Sequence, residues 1–159
     1  MELASPAFEA GGAIPERYTC AGAGVSPPLM WSAPPAGTRS LALIFGRRAA
    51  TAADTLPETV LWVLYNLPHS VRELPEGHRP AGDETGAGAF LGTNDFGVRG
   101  YDGPCPAADR SSRYVFRLYA LDTVLPDDAG ATERGLMAAI APHVLAVAEL
   151  DGTYAYDSD

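Results

Sequence analysis

Arg113-Tyr114-Val115-Phe116-Arg117-Leu118-Tyr119-Ala120-Leu121 is the stretch that decides the fold class. Branched and aromatic residues dominate it, without glycine or proline, so it suits the pleated, half-buried surface of a strand. Working outward, Leu41-Ala42-Leu43-Ile44-Phe45 and Val60-Leu61-Trp62-Val63-Leu64-Tyr65 are short apolar runs bounded by turn formers, the pattern of buried strands. Gly152-Thr153-Tyr154-Ala155-Tyr156 reads as a closing strand. Pro27-Pro28, Pro34-Pro35 and Gly37 cut the N-terminal third into loops and short strands. Helical spacing comes late: Thr132 is a candidate cap for a helix over Glu133–Ala141, with Leu136, Met137 and Ile140 on one face. Pro142 interrupts that pattern and suits the first turn of a second helix, His143 to Leu150, carrying Val144, Leu145 and Ala148. Residues 75–92, rich in Gly, Glu, Ala and Pro, read as a long surface loop. Dominant strands with helices gathered near the C-terminus predict one β-rich α+β domain over residues 1–159.

Composition agrees with a single core and narrows the function classes. A chain of 159 residues with 47% hydrophobic and 19% charged residues can bury a core without metal help. Its net charge is -9, and all 11 basic residues are arginines. The absence of lysine removes Schiff-base chemistry and a phosphate-loop lysine together. No nucleic-acid partner is expected, because counterion release needs clustered cations and only Arg47 and Arg48 are adjacent. Met1-Glu2-Leu3-Ala4-Ser5-Pro6 has neither the basic nor the apolar region of an export signal, and no run approaches a membrane span. The expectation is therefore a cytoplasmic protein without membrane insertion. Cys20 and Cys105 match no zinc spacing. In a reducing compartment they read as two buried or half-buried thiols, with a mutual disulfide or a reactive thiol as the alternatives.

Several motifs are more specific than these patterns. They are Ser5-Pro6-Ala7-Phe8, Gly12-Ala13-Ile14-Pro15, Tyr18-Thr19-Cys20 and Ser26-Pro27-Pro28-Leu29-Met30-Trp31-Ser32. Pro35-Ala36-Gly37-Thr38-Arg39-Ser40, Tyr65-Asn66-Leu67-Pro68, Asn94-Asp95-Phe96-Gly97 and Gly103-Pro104-Cys105-Pro106 follow. Arg113-Tyr114, Leu118-Tyr119-Ala120-Leu121-Asp122 and His143-Val144-Leu145-Ala146 complete the series. In this order the chain resembles the phosphatidylethanolamine-binding protein family, in its bacterial, Raf-kinase-inhibitor-like branch. The resemblance covers nearly the whole sequence. It implies two packed, mainly antiparallel sheets with C-terminal helices, and a small anion-accepting pocket at one end. It also implies a small-molecule ligand and, as in bacterial members, a homodimer.

The departures bear on chemistry. After the Ile44 strand the family reads acidic–Asp–Pro–Asp–Ala–Pro, whereas this chain reads Phe45-Gly46-Arg47-Arg48-Ala49-Ala50-Thr51. The two aspartate positions hold Arg47 and Ala49, and the two histidine positions hold Leu61 and Ser112. Imidazole donors oriented by aspartates suit a phosphate-like group. Leucine neither donates nor titrates, while arginine is a bidentate donor for carboxylate or phosphate. The expected pocket is thus a degenerate anion site lined by Arg47, Leu61, Trp62, Tyr101, Gly103, Pro104, Ser112 and Tyr114. Arg47, Tyr114 and Asp102 are the candidate catalytic groups. Arg47, Asp102 and Ser112 also have plainer readings, as a solvated loop cation, a turn-capping carboxylate and a loop hydroxyl, whereas the Tyr114 phenol is the best surviving polar handle.

No motif assigns a reaction. His69, His78 and His143 fall outside the family's ligand positions, and no nucleophile elbow or metal cluster is visible. No cofactor is expected. Two functions fit a kept frame with changed fittings. One is a binder of a more apolar or carboxylate-bearing small molecule. The other is a cofactor-independent cyclase or isomerase of secondary metabolism that works by positioning its substrate. The alternative is an ordinary phospholipid- or nucleotide-binding, or kinase-regulating, member.

Overall fold

The computed structural model describes residues 1–47, 59–77, 90–105, 111–126, 129 and 133–155. Its strands are β1 (Leu3–Ala4), β2 (Leu29–Trp31), β3 (Ser40–Arg47), β4 (Thr59–Pro68), β5 (Glu73–Leu74), β6 (Phe90–Leu91), β7 (Ser111–Leu121) and β8 (Val144–Ala155). One α-helix, α1 (Glu133–Ile140), precedes a 3-10 turn at Ala141–His143. A small sheet has the order β1-β2-β5 and a large one β6-β4-β3-β7-β8, with antiparallel pairing throughout both. The expected β-rich α+β class with two packed sheets is the architecture observed.

The large sheet is covered on both faces, which is why β3 and β4 read as unbroken apolar runs. Leu41, Leu43 and Phe45 of β3 face the small sheet, joining Leu3, Leu29, Trp31, Phe116, Leu118 and Leu150. Ala42 and Ile44 point the other way, against Leu136 and Ile140 of α1 and against Leu125. All five β3 side chains are fully buried. Burying a leucine or phenylalanine side chain stabilises by about 1.5–3 kcal/mol, so this strand anchors both layers.

The chain's beginning is tied to its end. The Gly11 N–H donates to the Asp151 carbonyl at 2.8 Å, and Ile14 N–H to the Thr153 carbonyl at 2.7 Å. Thr153 N–H returns a bond to the Gly12 carbonyl at 2.9 Å.

One expected element is overturned. Residues 144–150 form the first half of β8 and not a second helix. They pair with β7 from Leu121↔Val144 through Phe116↔Leu150, with an irregularity after Ala120 that leaves Leu145 as the extra residue. The helix-like spacing of Val144, Leu145 and Ala148 corresponds to no shared buried face, since Val144 and Leu145 are exposed and Ala148 is buried, and β-branched Val144 and Val147 favour the strand. The first helix ends at Ile140, and the candidate cap Thr132 lies outside the described residues. Within the expected loop 75–92, β6 occupies Phe90–Leu91, and residues 78–89, with His78, lie outside the described residues.

Candidate functional site

The sheet's geometry brings three strand ends together. Arg47 at the end of β3 pairs with Thr59 on one side and with Tyr114 on the other. Phe45 pairs with Trp62 but Gly46 with Val60, so Leu61 is the extra residue of a β-bulge in β4. A bulge turns consecutive side chains toward one face. Leu61 and Trp62 accordingly both join the core between the sheets, while Val60 and Val63 face the opposite way.

Two loops finish the site. Asn94 is almost fully buried and holds both. Its Nδ2 donates to the Leu61 carbonyl at 3.1 Å and to Asp102 Oδ2 at 2.7 Å. Its Oδ1 accepts the Phe96 and Val98 amides at 2.9 and 3.0 Å. Asp102 N–H also donates to the bulged Leu61 carbonyl, at 3.1 Å. Asp95 Oδ2 accepts the Val60 amide at 2.7 Å, so this carboxylate seats the loop on β4.

The loop 101–105 is stacked on the turn 16–20. Tyr101 OH donates to the Tyr18 carbonyl at 2.7 Å, and Cys20 N–H donates to the Pro104 carbonyl at 3.1 Å. A Cβ at Gly103 would lie 2.6 Å from the Tyr18 carbonyl oxygen, so only glycine allows this approach. Cys20 and Cys105 form a disulfide with their Cα atoms 5.3 Å apart. The free-thiol reading is therefore overturned, and both residues are exposed rather than buried. The reason is tertiary: residues 85 apart in sequence are brought to one corner by the stacked loops, which spacing alone does not reveal.

Between these walls lies a cavity of about 200 Å³ lined by Arg47, Thr59, Leu61, Phe96, Gly103, Cys105 and Tyr114. Behind it, Phe45 stacks on Phe116 with ring centroids 3.9 Å apart and on Tyr101 at 5.6 Å. Trp62 meets the Tyr101 ring edge-on at 5.4 Å, and its indole N–H is buried without an acceptor among the described residues. Burial, and after it the neighbouring Tyr114, Tyr18 and Asp102, push the Tyr101 phenol far above the ordinary tyrosine range. It serves as a neutral hydrogen-bond donor.

Of the residues expected at the site, Arg47, Leu61, Gly103 and Tyr114 share this cavity. Trp62, Tyr101, Asp102 and Pro104 sit outside its described lining and brace its walls. Ser112 is fixed by its backbone opposite Tyr154, and its side chain is not among those described. Ala49 lies outside the described residues. Thr59, Phe96 and Cys105 are lining residues that sequence reasoning missed. Thr59 becomes a neighbour only through cross-strand register with Arg47, whereas Phe96 stands beside the Asn94-Asp95 motif already in view. No group of three or more metal-ligating side chains occurs among the described residues, and no described helix is long and apolar enough to cross a membrane.

Comparison with known proteins bears on the family and the fold. Residues 4–155 match the family of phosphatidylethanolamine-binding proteins. A UPF0098 protein of Chlamydia muridarum is 42% identical over 99% of this chain and 100% of its own length. A UPF0098 protein of Methanothermobacter thermautotrophicus is 43% identical over 97% of this chain and 98% of its own. The crystal structure of a phosphatidylethanolamine-binding protein homologue from Chlamydia trachomatis superimposes with a TM-score of 0.83 at 40% identity, covering 98% of this chain and 97% of that one. Escherichia coli YbcL superimposes with the same TM-score of 0.83 at 29% identity, covering 98% of both chains. The match over residues 4–155, the sequence relatives and the superimposed structures converge: the chain belongs to the phosphatidylethanolamine-binding protein family.

Proposed function

We propose that this protein binds a small carboxylate-bearing molecule in the cavity at the end of β3, through a recognition chemistry altered from a phosphate-type site. The observation that carries this reading is the lining itself. Arg47, Thr59 and Tyr114 supply donors beside apolar Leu61 and Phe96, and the lining contains neither imidazole nor carboxylate among the described residues. A guanidinium offers a planar two-point grip on a carboxylate, and the flanking apolar surface suits a short hydrocarbon portion. At about 200 Å³ the cavity is smaller than ordinary ligand clefts of roughly 300–1,000 Å³, which favours a compact ligand. The described lining pairs no acid with a base, so binding is supported better than cyclisation or isomerisation.

Titration calorimetry with phosphoethanolamine against short aliphatic and aromatic carboxylates tests the reading. Carboxylates should bind the more tightly, and Arg47→Ala should weaken them about tenfold or more, equivalent to about 1.4 kcal/mol. Tight phosphoethanolamine binding that survives Arg47→Ala overturns it.

A further inference from the structure

The disulfide borders the cavity at the end of β3. Both of its cysteines are exposed, and Cys105 lines the cavity whereas Cys20 does not. Thiol–disulfide exchange requires in-line approach of a thiolate to one sulfur, with the other sulfur leaving. A thiol admitted to the cavity meets Cys105 from within, and Cys20 lies outside the cavity's lining. Arg47 lines the same cavity, and its guanidinium carries five donors, so it can hold a carboxylate on the incoming molecule.

We propose that the cavity is a thiol–disulfide exchange site for small thiols that carry a carboxylate. The thiol first loses its proton to water. Its sulfur then forms a bond to Cys105 Sγ as the bond between Cys105 and Cys20 breaks, and Cys20 leaves as a thiolate that takes a proton from water. One disulfide is exchanged for another: Cys20 is reduced, the incoming sulfur is oxidised, and no further oxidant is required. The product is a mixed disulfide on Cys105 inside the cavity, with the loop 101–105 released from its covalent tie to the turn 16–20. The part given to Arg47 rests on the carboxylate reading above; the part given to Cys105 rests on its position.

The test uses the full chain, oxidised, with mercaptoacetate, 2-mercaptoethanol and cysteamine as probes. Reactions are quenched in acid, alkylated with iodoacetamide and mapped by peptide mass spectrometry, with rates divided by thiolate concentration. The expected result is the probe on Cys105 and the alkyl label on Cys20. Mercaptoacetate should react at least fivefold faster than 2-mercaptoethanol, cysteamine should be slowest, and Arg47→Gln should erase the mercaptoacetate advantage. The probe found mainly on Cys20, or an advantage below fivefold in the unmodified protein, overturns the proposal. Propionate, which has no thiol, probes the carboxylate reading separately: its failure to bind refutes that reading, while the position of the thiol adduct still decides this one.

Discussion

Asn94 offers the sharpest check on how the site is held together. In Asn94→Ala four hydrogen bonds vanish: those to the Leu61 carbonyl, Asp102 Oδ2, and the amides of Phe96 and Val98. Each contributes roughly 1 kcal/mol net. Phe96 and Val98 are exposed, so water can replace their partner, and the Leu61 carbonyl keeps the Asp102 amide. A loss of about 2 kcal/mol follows. With a urea slope of about 2 kcal/mol per molar, the unfolding midpoint should fall by about 1 M in non-reducing buffer. Asn94→Asp should be worse at pH 7, because the introduced carboxylate faces Asp102 and has lost the Nδ2 donor. That repulsion raises the introduced group's folded pKa above its unfolded value near 4, so the penalty is full above the folded pKa and fades as pH falls toward about 4. A protonated carboxyl would donate to Asp102 as the amide did. Equal midpoints for Asn94→Ala and the unmodified protein, or a gap between the two variants that ignores pH, would refute this account of the loop.

Three further outcomes are expected. Gly103→Ala should cost about 1–3 kcal/mol in chemical denaturation, because its Cβ would meet backbone atoms of Tyr18 and Thr19 that no rotamer can clear. Replacing both cysteines by serine opens a loop closed across 85 residues, and chain entropy puts the loss on the order of 4 kcal/mol, readable as a lower thermal midpoint. The Arg17 guanidinium, then the Tyr18 hydroxyl, hold the Glu76 carboxyl down at about 2 from an ordinary 4.5. Being depressed in the folded state, it stabilises above the ordinary value, and that contribution disappears as pH falls from about 4.5 toward about 2. In an NMR titration Arg17→Ala should return Glu76 toward the ordinary carboxylate range.

Strands β3 and β4 were legible because each is an apolar run, and burial on both faces is written into such runs directly; β7 was legible from its branched and aromatic residues. Motifs along the chain likewise disclosed the family. The first half of β8 was misread because Val144, Leu145 and Ala148 happen to stand at helical spacing, although Val144 and Leu145 are exposed in the strand. Pairing with β7 outweighs that local signal. At the site, Arg47, Leu61, Gly103 and Tyr114 could be located by motif position, since each stands on or beside a recognisable segment. Thr59 and the disulfide could not, because both depend on which distant backbone lies alongside. Leu61 is instructive in a further way: its identity was visible, but its turn toward the cavity comes from a register slip against β3 that no single strand encodes.

The bonds from Gly11 and Ile14 to β8 have a consequence for synthesis on the ribosome. Residues 11–14 are made well before the strand that anchors them, and Cys20 must wait for Cys105 as well. A nascent chain halted before residue 144 would leave β7 with a bare edge and Gly11, Gly12 and Ile14 without their backbone partners. Closure of the large sheet thus waits for β8, and a chaperone guarding the nascent form has most to shield just before that strand emerges.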